Sequence, residues 1–412
     1  MFVGHRISRR GFLASSVGTA LGMVLLTPRR LEAAPRLRVT AVELLPLRVT
    51  SRTVWLIVRL QTDAGLVGLG EASDAFGYAN TTREQASRMA SEIADLFLLV
   101  KGRSPLEIGT FRDQAASRVA RGGLITATAF SALEQALWDL AGKALDVPTY
   151  ALFGGKLRDA LPVYANVNRA TTARTPDGFA ASARAALRDG FRAVKGAPFD
   201  GFPAPGSPQS AIDAAVENGI ACVVAMREAI GPDAQLMVDC HSFFDVDLAE
   251  RVAGRLEPQN LTWYEEPVAP ERTQETREIH RRIKQDMAGG EILYGVAGFA
   301  SLIRDRTVNV IMPDVKHCGG LLELTHIAAA AQQEGVRVAP HNPSGPVSTA
   351  ASVQVSAVIE NFQLLEFQWG ESPWRHDLVV PPEHFANGTI QVPSRSGLGI
   401  ALNEALVQRY RM

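Results

Sequence analysis

Eight short apolar runs, each followed by an amphipathic, helix-like stretch, constrain this chain more than any other feature. They are PVYANV (162–167), RAVKG (192–196), LMVDCH (236–241), LTWYEEP (261–267), DMAGGE (286–291), VNVIMPD (308–314), VRVAPHN (336–342) and FQLLEFQ (362–368). Strands covered on both faces read as continuous apolar runs, and their alternation with helices is the signature of βα units on a parallel sheet. Eight such units suggest a closed barrel rather than an open sheet, and in such barrels the carboxyl ends of the strands carry the chemistry. All but the first carry a charged residue or a histidine at or near the end.

The chain is long enough, at 412 residues, for this barrel and a second domain. From Leu37 to about Ser73 the pattern is β, with LRVTAVELLPLRV, TVWLIVRL, a turn at Asp63-Ala64-Gly65 and LVGLGEAS; helical spacing follows, clearest in AFSALEQALWDLAGKAL before Pro148 and the Gly154-Gly155 break. The expected organisation is an N-terminal α+β domain over 36–158, the barrel over 159–370, and a segment 371–412, without a ninth repeat, that returns to the first domain. The Pro/Gly-rich stretch GAPFDGFPAPGSP (196–208) reads as a long loop over the barrel mouth, and EASDAFGYAN (71–80) as a cover whose Phe76 and Tyr78 either set substrate choice or pack into the core.

In front of these, SRRGFLASS puts Arg9 and Arg10 ahead of an uncharged run of 17 residues, Gly11 to Thr27. It resembles a twin-arginine export signal over 1–35, which implies a periplasmic or exported protein, or a cytoplasmic one if the leader is idle. The run is shorter than the roughly 20 residues that span a bilayer, so stable membrane insertion is not expected. A net charge of −1 calls for neither a nucleic-acid partner nor an acidic membrane surface. Three cysteines, Cys222, Cys240 and Cys318, make no disulfide framework and have no zinc spacing.

Three successive strand ends offer Asp239, Glu265 and Glu291, spaced by 26 and 26 residues, one βα repeat each time. Any one alone reads best as a loop carboxylate or helix cap. Three in register converge on one side of the mouth, where they repel one another unless a cation sits between them. An oxygen-only donor set suits a hard ion, Mg²⁺ above all, with Mn²⁺ as a substitute. Side chains at i and i+2 on a strand share a face, so His241 is expected to project beside Asp239.

With MVDCH, WYEEP and GGE in this order, residues 37–412 resemble the enolase superfamily, mandelate racemase subgroup. The resemblance implies a modified TIM barrel, (β/α)7β, with an N-terminal α+β capping domain, and commonly a homo-oligomer. It assigns Asp239, Glu265 and Glu291 as metal ligands, with Glu266 a supporting residue. IMPDVKHCGG and VAPHNPSGP resemble the family's Asp-His dyad, giving Asp314 and His341 as the general base, since a carboxylate on one ring nitrogen fixes the tautomer and raises basicity. Glu366 in LLEFQ matches the position that hydrogen-bonds the substrate carboxylate, which calls for a protonated or strongly coupled donor. Removing a proton α to a carboxylate makes an enediolate, feasible when Mg²⁺ meets the developing charge.

Racemases of the subgroup carry Lys-x-Lys on the second strand, whereas this chain reads Lys195-Gly196-Ala197. Ala197 cannot move a proton, so a Lys/His two-base racemisation is disfavoured; Lys195 remains to pair with substrate oxygen charge. DCH and APHNPSGP resemble most closely the acid-sugar (galactonate-type) dehydratases. The role implied for His241 is general acid: His341 takes the α-proton of a sugar acid, aldonate or aldarate, and His241 protonates the departing 3-hydroxyl to leave a 2-keto-3-deoxy acid. Two readings stay open beside it: an epimerase or racemase using the two histidines, and an exported binding protein for acid sugars without catalysis. His280, His317, His326 and His384 have no partner at readable spacing.

Overall fold

The computed structural model describes residues 37–77 and 81–412, so the twin-arginine segment and Tyr78 lie outside the described residues. The chain from Arg36 onward is one compact unit. It opens with an antiparallel sheet of β1 (Val39–Arg48), β2 (Val54–Thr62) and β3 (Val67–Glu71). The first half of β2, Val54 to Val58, is apolar without a break because both its faces are covered. Trp55 and Ile57 enter the barrel-side core, while Leu56, Val58 and Leu60 pack with the helices Arg83–Phe97 and Ile108–Leu145. Gly68 and Gly70 let the long helix lie directly on β3, since a Cβ at either would collide with the carbonyls of Ala136 and Ala132.

All eight predicted runs form strands: β4 (Ala160–Asn166), β5 (Ala193–Gly196), β6 (Gln235–Asp239), β7 (Trp263–Glu265), β8 (Met287–Gly289), β9 (Val310–Ile311), β10 (Arg337–Val338) and β11 (Leu365–Gln368). Each pairs in parallel with its neighbour from β4 to β10; β11 pairs β4, and a Val338–Phe362 bridge closes the ring. The barrel is filled rather than hollow, with Tyr164, Met237, Trp263, Val310, Met312 and Leu364 in its interior. Several strands are shorter than their apolar runs, because the residues beyond each strand end are buried as well: Met312, Asp314, Ala339 and His341 are all covered in loops. The segment after β11 adds a strand, Thr389–Gln391, antiparallel to the start of β4, and also reaches the N-terminal sheet, where Arg411 pairs Glu43 and Met412 N–H donates to Pro46.

Two fully buried carboxylates dock the first domain onto the barrel. The helices Gly320–Gln333 and Pro346–Ser356 follow glycines, Gly319 and Gly345, that offer no capping side chain. Glu134 therefore accepts the Leu321 and Leu322 N–H groups at 2.8 and 3.1 Å, and Glu71 accepts those of Gly345 and Ser348 at 2.8 and 2.9 Å. Burial pushes both carboxyls up despite these bonds and, for Glu134, the Arg112 ion pair. Glu134→Ala leaves the Leu321 and Leu322 amides and the Trp138 indole N–H without their acceptor, and is expected to lower unfolding stability by about 3 kcal/mol. A urea titration checks this; an unchanged midpoint would show that the cap carries no weight.

Candidate active site

Strand register does the first part of the assembly. Asp239 and Glu265 are direct partners across β6 and β7, so their carboxylates leave the barrel side by side; Glu291 follows β8 by two residues. All three are buried, and one oxygen from each lies within 4.8 Å of the others. Burial and the neighbouring Asp239 push the Glu265 carboxyl far up, so the cluster gains from shared positive charge. Three carboxylates without thiol or imidazole in the set fit a hard divalent cation. Glu266 turns away, with φ 35°, and its Oε1 accepts the Gly290 N–H at 2.7 Å, which fixes the loop that carries Glu291. Its carboxyl is pushed up to about 8 by burial and by Glu291.

His341 and Asp314 meet as the family motif implies, with Nδ1 2.7 Å from Asp314 Oδ2. Lys316 joins them: its Nζ lies 2.6 Å from the same oxygen, and its N–H donates to Oδ1 at 2.7 Å. Burial disfavours the Asp314 charge, but Lys316, His317 and His341 outweigh it and hold the carboxyl far below the usual range. His341 Nε2 lies 3.1 Å from Glu291 Oε2. Burial pulls this imidazole down, yet Glu291, Glu366 and Asp314 raise it to about 9. A cation that takes up the Glu291 charge would remove the largest of those upward pushes, bringing the ring back towards the range of a useful base.

His241 reaches Asp239, but not by strand alternation. β6 stops at Asp239, and His241 and Ser242 take left-handed backbone, φ 44° and 60°. The turn folds the ring back over Asp239, whose Oδ1 accepts the His241 N–H at 2.9 Å and whose Oδ2 lies 3.2 Å from Nε2. Nδ1 lies 2.5 Å from Asp200 Oδ1. Both ring nitrogens face carboxylate oxygens, an arrangement that favours the protonated ring. Burial opposes this charge, but Asp239 and Asp200 outweigh it and hold the pKa well above the ordinary histidine value. A charged imidazole is a proton donor. His241 follows the third barrel strand and His341 the seventh, so the two stand on opposite sides of the ring and line one cavity of about 840 Å³.

Between them, Lys195 Nζ is shared by Glu265 at 2.6 Å, Glu366 at 3.1 Å and Asp239 at 3.5 Å. Burial disfavours its charge, yet these carboxylates keep it firmly protonated, so it is no base. Glu366 was expected to be protonated or strongly coupled to its neighbours; it is ion-paired with Lys195 and charged rather than protonated. It accepts from Asn166 Nδ2 at 2.7 Å and from the Asn342 N–H at 2.8 Å, and although burial opposes ionisation, Lys195 and His341 hold its carboxyl down as a charged acceptor. Ala197 is buried beside the site and offers no titratable group.

Several polar residues of the site escaped the motifs. Asn166 ends the first barrel strand and Asn168 follows it by two residues, a pair visible in YANVN. Asp200 lay unmarked in the Pro/Gly-rich stretch 196–208, whose loop does line the cavity. Arg169 sits between Asp74 at 3.1 Å and Glu371 at 3.4 Å, so the covering loop reaches the mouth through Asp74. Phe76 packs against the N-terminal domain's core instead of the cavity. His317, for which the sequence showed no partner, is buried behind the dyad, with Nδ1 2.8 Å from Thr128 Oγ1 and Nε2 4.0 Å from Asp314 Oδ2.

The chain is similar to known proteins over most of its length. The model of the mandelate racemase / muconate lactonizing enzyme N-terminal domain matches residues 36–154, and that of the enolase C-terminal domain-like family matches 178–406. A D-xylonate dehydratase from Haloferax volcanii is 32% identical, covering 86% of this chain and 85% of its own. A D-galactonate dehydratase from Verminephrobacter eiseniae is 30% identical over 86% of this chain and 90% of its own. The crystal structure of a mandelate racemase/muconate lactonizing enzyme from Jannaschia sp. CCS1 superposes with a TM-score of 0.80 at 29% identity, covering 91% of this chain and 98% of that one.

Proposed function

We infer the reaction from the premise that the chain belongs to the mandelate racemase / muconate lactonizing enzyme family of the enolase superfamily. We propose that it is a metal-dependent dehydratase that removes water from an aldonate to give a 2-keto-3-deoxy acid. One observation carries this reading: two histidines, each bound to an aspartate, stand on opposite sides of one cavity beside a buried carboxylate triad. The relatives that act on D-xylonate and D-galactonate support the same class.

Asp239, Glu265 and Glu291 would hold Mg²⁺, which supplies positive charge where the substrate's carboxylate turns into an enediolate. His341 takes the C2 proton through Nε2 while Asp314, locked by Lys316, fixes its Nδ1. His241, charged and on the far wall, gives a proton to the C3 hydroxyl as the C3–O bond breaks. The electron pair left at C2 forms the C2=C3 bond, water departs, and the enol tautomerises to the ketone. Placement on opposite walls favours anti elimination.

The cavity's outer wall carries Arg52 and Arg169 together with Thr50, Thr53 and Asn168. Arg169 faces Asp74 and Glu371. The choice of an aldonate rests on the relatives that act on D-xylonate and D-galactonate. The twin-arginine pattern supports an exported enzyme.

The test is keto-acid formation by the protein with Mg²⁺ on a panel of aldonates and aldarates. A keto-deoxy acid from an aldonate is expected; turnover confined to aldarates would overturn the aldonate reading, and no product from any acid would overturn the dehydratase. His241→Asn is expected to cut product formation by about 10³-fold while C2 proton exchange in D₂O continues. Unimpaired turnover would remove His241 from the acid role.

A further inference from the structure

The two histidines are built on one plan, and only one of the two aspartate–histidine pairs was legible in the motifs. Asp314 follows the sixth barrel strand and holds His341 after the seventh. Asp200 follows the second and holds His241 after the third. In each case the carboxylate comes from the preceding strand and binds Nδ1, leaving Nε2 turned inward. We propose that Asp200 is the positioning residue of the acid, fixing the ring and tautomer of His241 so that Nε2–H can reach the leaving hydroxyl; this rests on the dehydratase reading.

Asp200 is itself held. Its Oδ2 accepts Asn168 Nδ2 at 2.8 Å, with Arg174 at 3.3 Å. The Asn168 N–H donates to Asn166 Oδ1 at 2.9 Å, and Asn166 Nδ2 donates to Glu366. An unbroken chain of bonds thus runs from His241 around the cavity floor to Glu366 and Lys195, so a loop that looks irregular in sequence delivers a carboxylate with little freedom. The ring is confined on a third side by the edge contact with Phe243, which stacks on Phe202 from the same loop as Asp200. A histidine on left-handed backbone after a strand end has no regular element to orient it, and these contacts take that role.

The test follows C2 deuterium uptake and keto-acid formation together in wild type, Asp200→Asn, His241→Asn and the double variant. It also follows the Nδ1–H proton resonance that His241→Asn removes. Asparagine can accept from Nδ1–H only weakly and can also donate, so the tautomer is no longer fixed. The expected result is a loss of about 10²-fold in elimination for Asp200→Asn with a much smaller loss in C2 exchange and little change in KM. The double variant should be no slower than His241→Asn, and the Nδ1–H resonance should be lost from its wild-type position. Equal losses in exchange and elimination, or a double variant slower than His241→Asn, would overturn the proposal, because Asp200 would then serve substrate or fold directly. If wild type takes up deuterium at C2 without releasing water, it is the dehydratase reading that fails. The resonance then decides the orientation alone, and its persistence in Asp200→Asn would overturn it.

Discussion

His341→Asn is expected to lower keto-acid formation by about 10⁴-fold and to abolish deuterium uptake at C2 with it. The size follows from the geometry. His341 lines the cavity on the wall facing His241, and the other titratable groups near it are already engaged. Lys195 is held by three carboxylates, Glu366 accepts three donors, and Asp314 is occupied by Lys316 and by His341 itself. Asparagine keeps a polar group near Asp314 but has no basic nitrogen. Retained C2 exchange in this variant would contradict the base assignment, and an unchanged melting temperature would show that the loss is chemical.

Removing the divalent cation with a chelator is expected to cost about 10³-fold or more in activity, restored by Mg²⁺ or Mn²⁺. It should also lower the melting temperature. A ligand present at 100 times its Kd adds about 2.7 kcal/mol to the folded state, and three buried, mutually repelling carboxylates are the groups that gain from it. Glu265→Gln separates the two effects. It removes the central ligand and the 2.6 Å partner of Lys195, so activity is lost and added Mg²⁺ no longer raises the melting temperature. Full activity in excess chelator, or a Glu265→Gln variant still stabilised by Mg²⁺, would contradict the metal assignment.

The barrel was legible because its strands are covered on both faces, which prints each of them as a continuous apolar run. Asp239 and Glu265 were legible for the same reason: they end paired strands and keep the repeat spacing. What lay beyond reach came from loops. His241 was expected beside Asp239, and it is there, yet through a left-handed turn that strand alternation does not describe. Asp200 has no periodicity to reveal it, since its position depends on how a Pro/Gly-rich loop folds over the mouth. Glu366 was expected as a protonated or strongly coupled donor, with the choice left open because its motif position was readable and its surroundings were not. The Lys195 ammonium and the Asn166 and Asn342 donors that keep it charged come from other strands and loops, joined only in the fold. Lys316 shows the converse: two residues from Asp314 in sequence, it reads as one more loop cation until the structure buries it on the dyad.

The central claim is that one cavity removes the C2 proton and expels the C3 hydroxyl with separate histidines. The most direct measurement is the proton NMR spectrum of an aldonate incubated with the wild-type protein and Mg²⁺ in D₂O. The account predicts a 2-keto-3-deoxy acid carrying deuterium at C3. Deuterium at C2 of unchanged acid, with or without inversion, and no keto acid would contradict it and make the protein an enzyme that moves the α-proton alone.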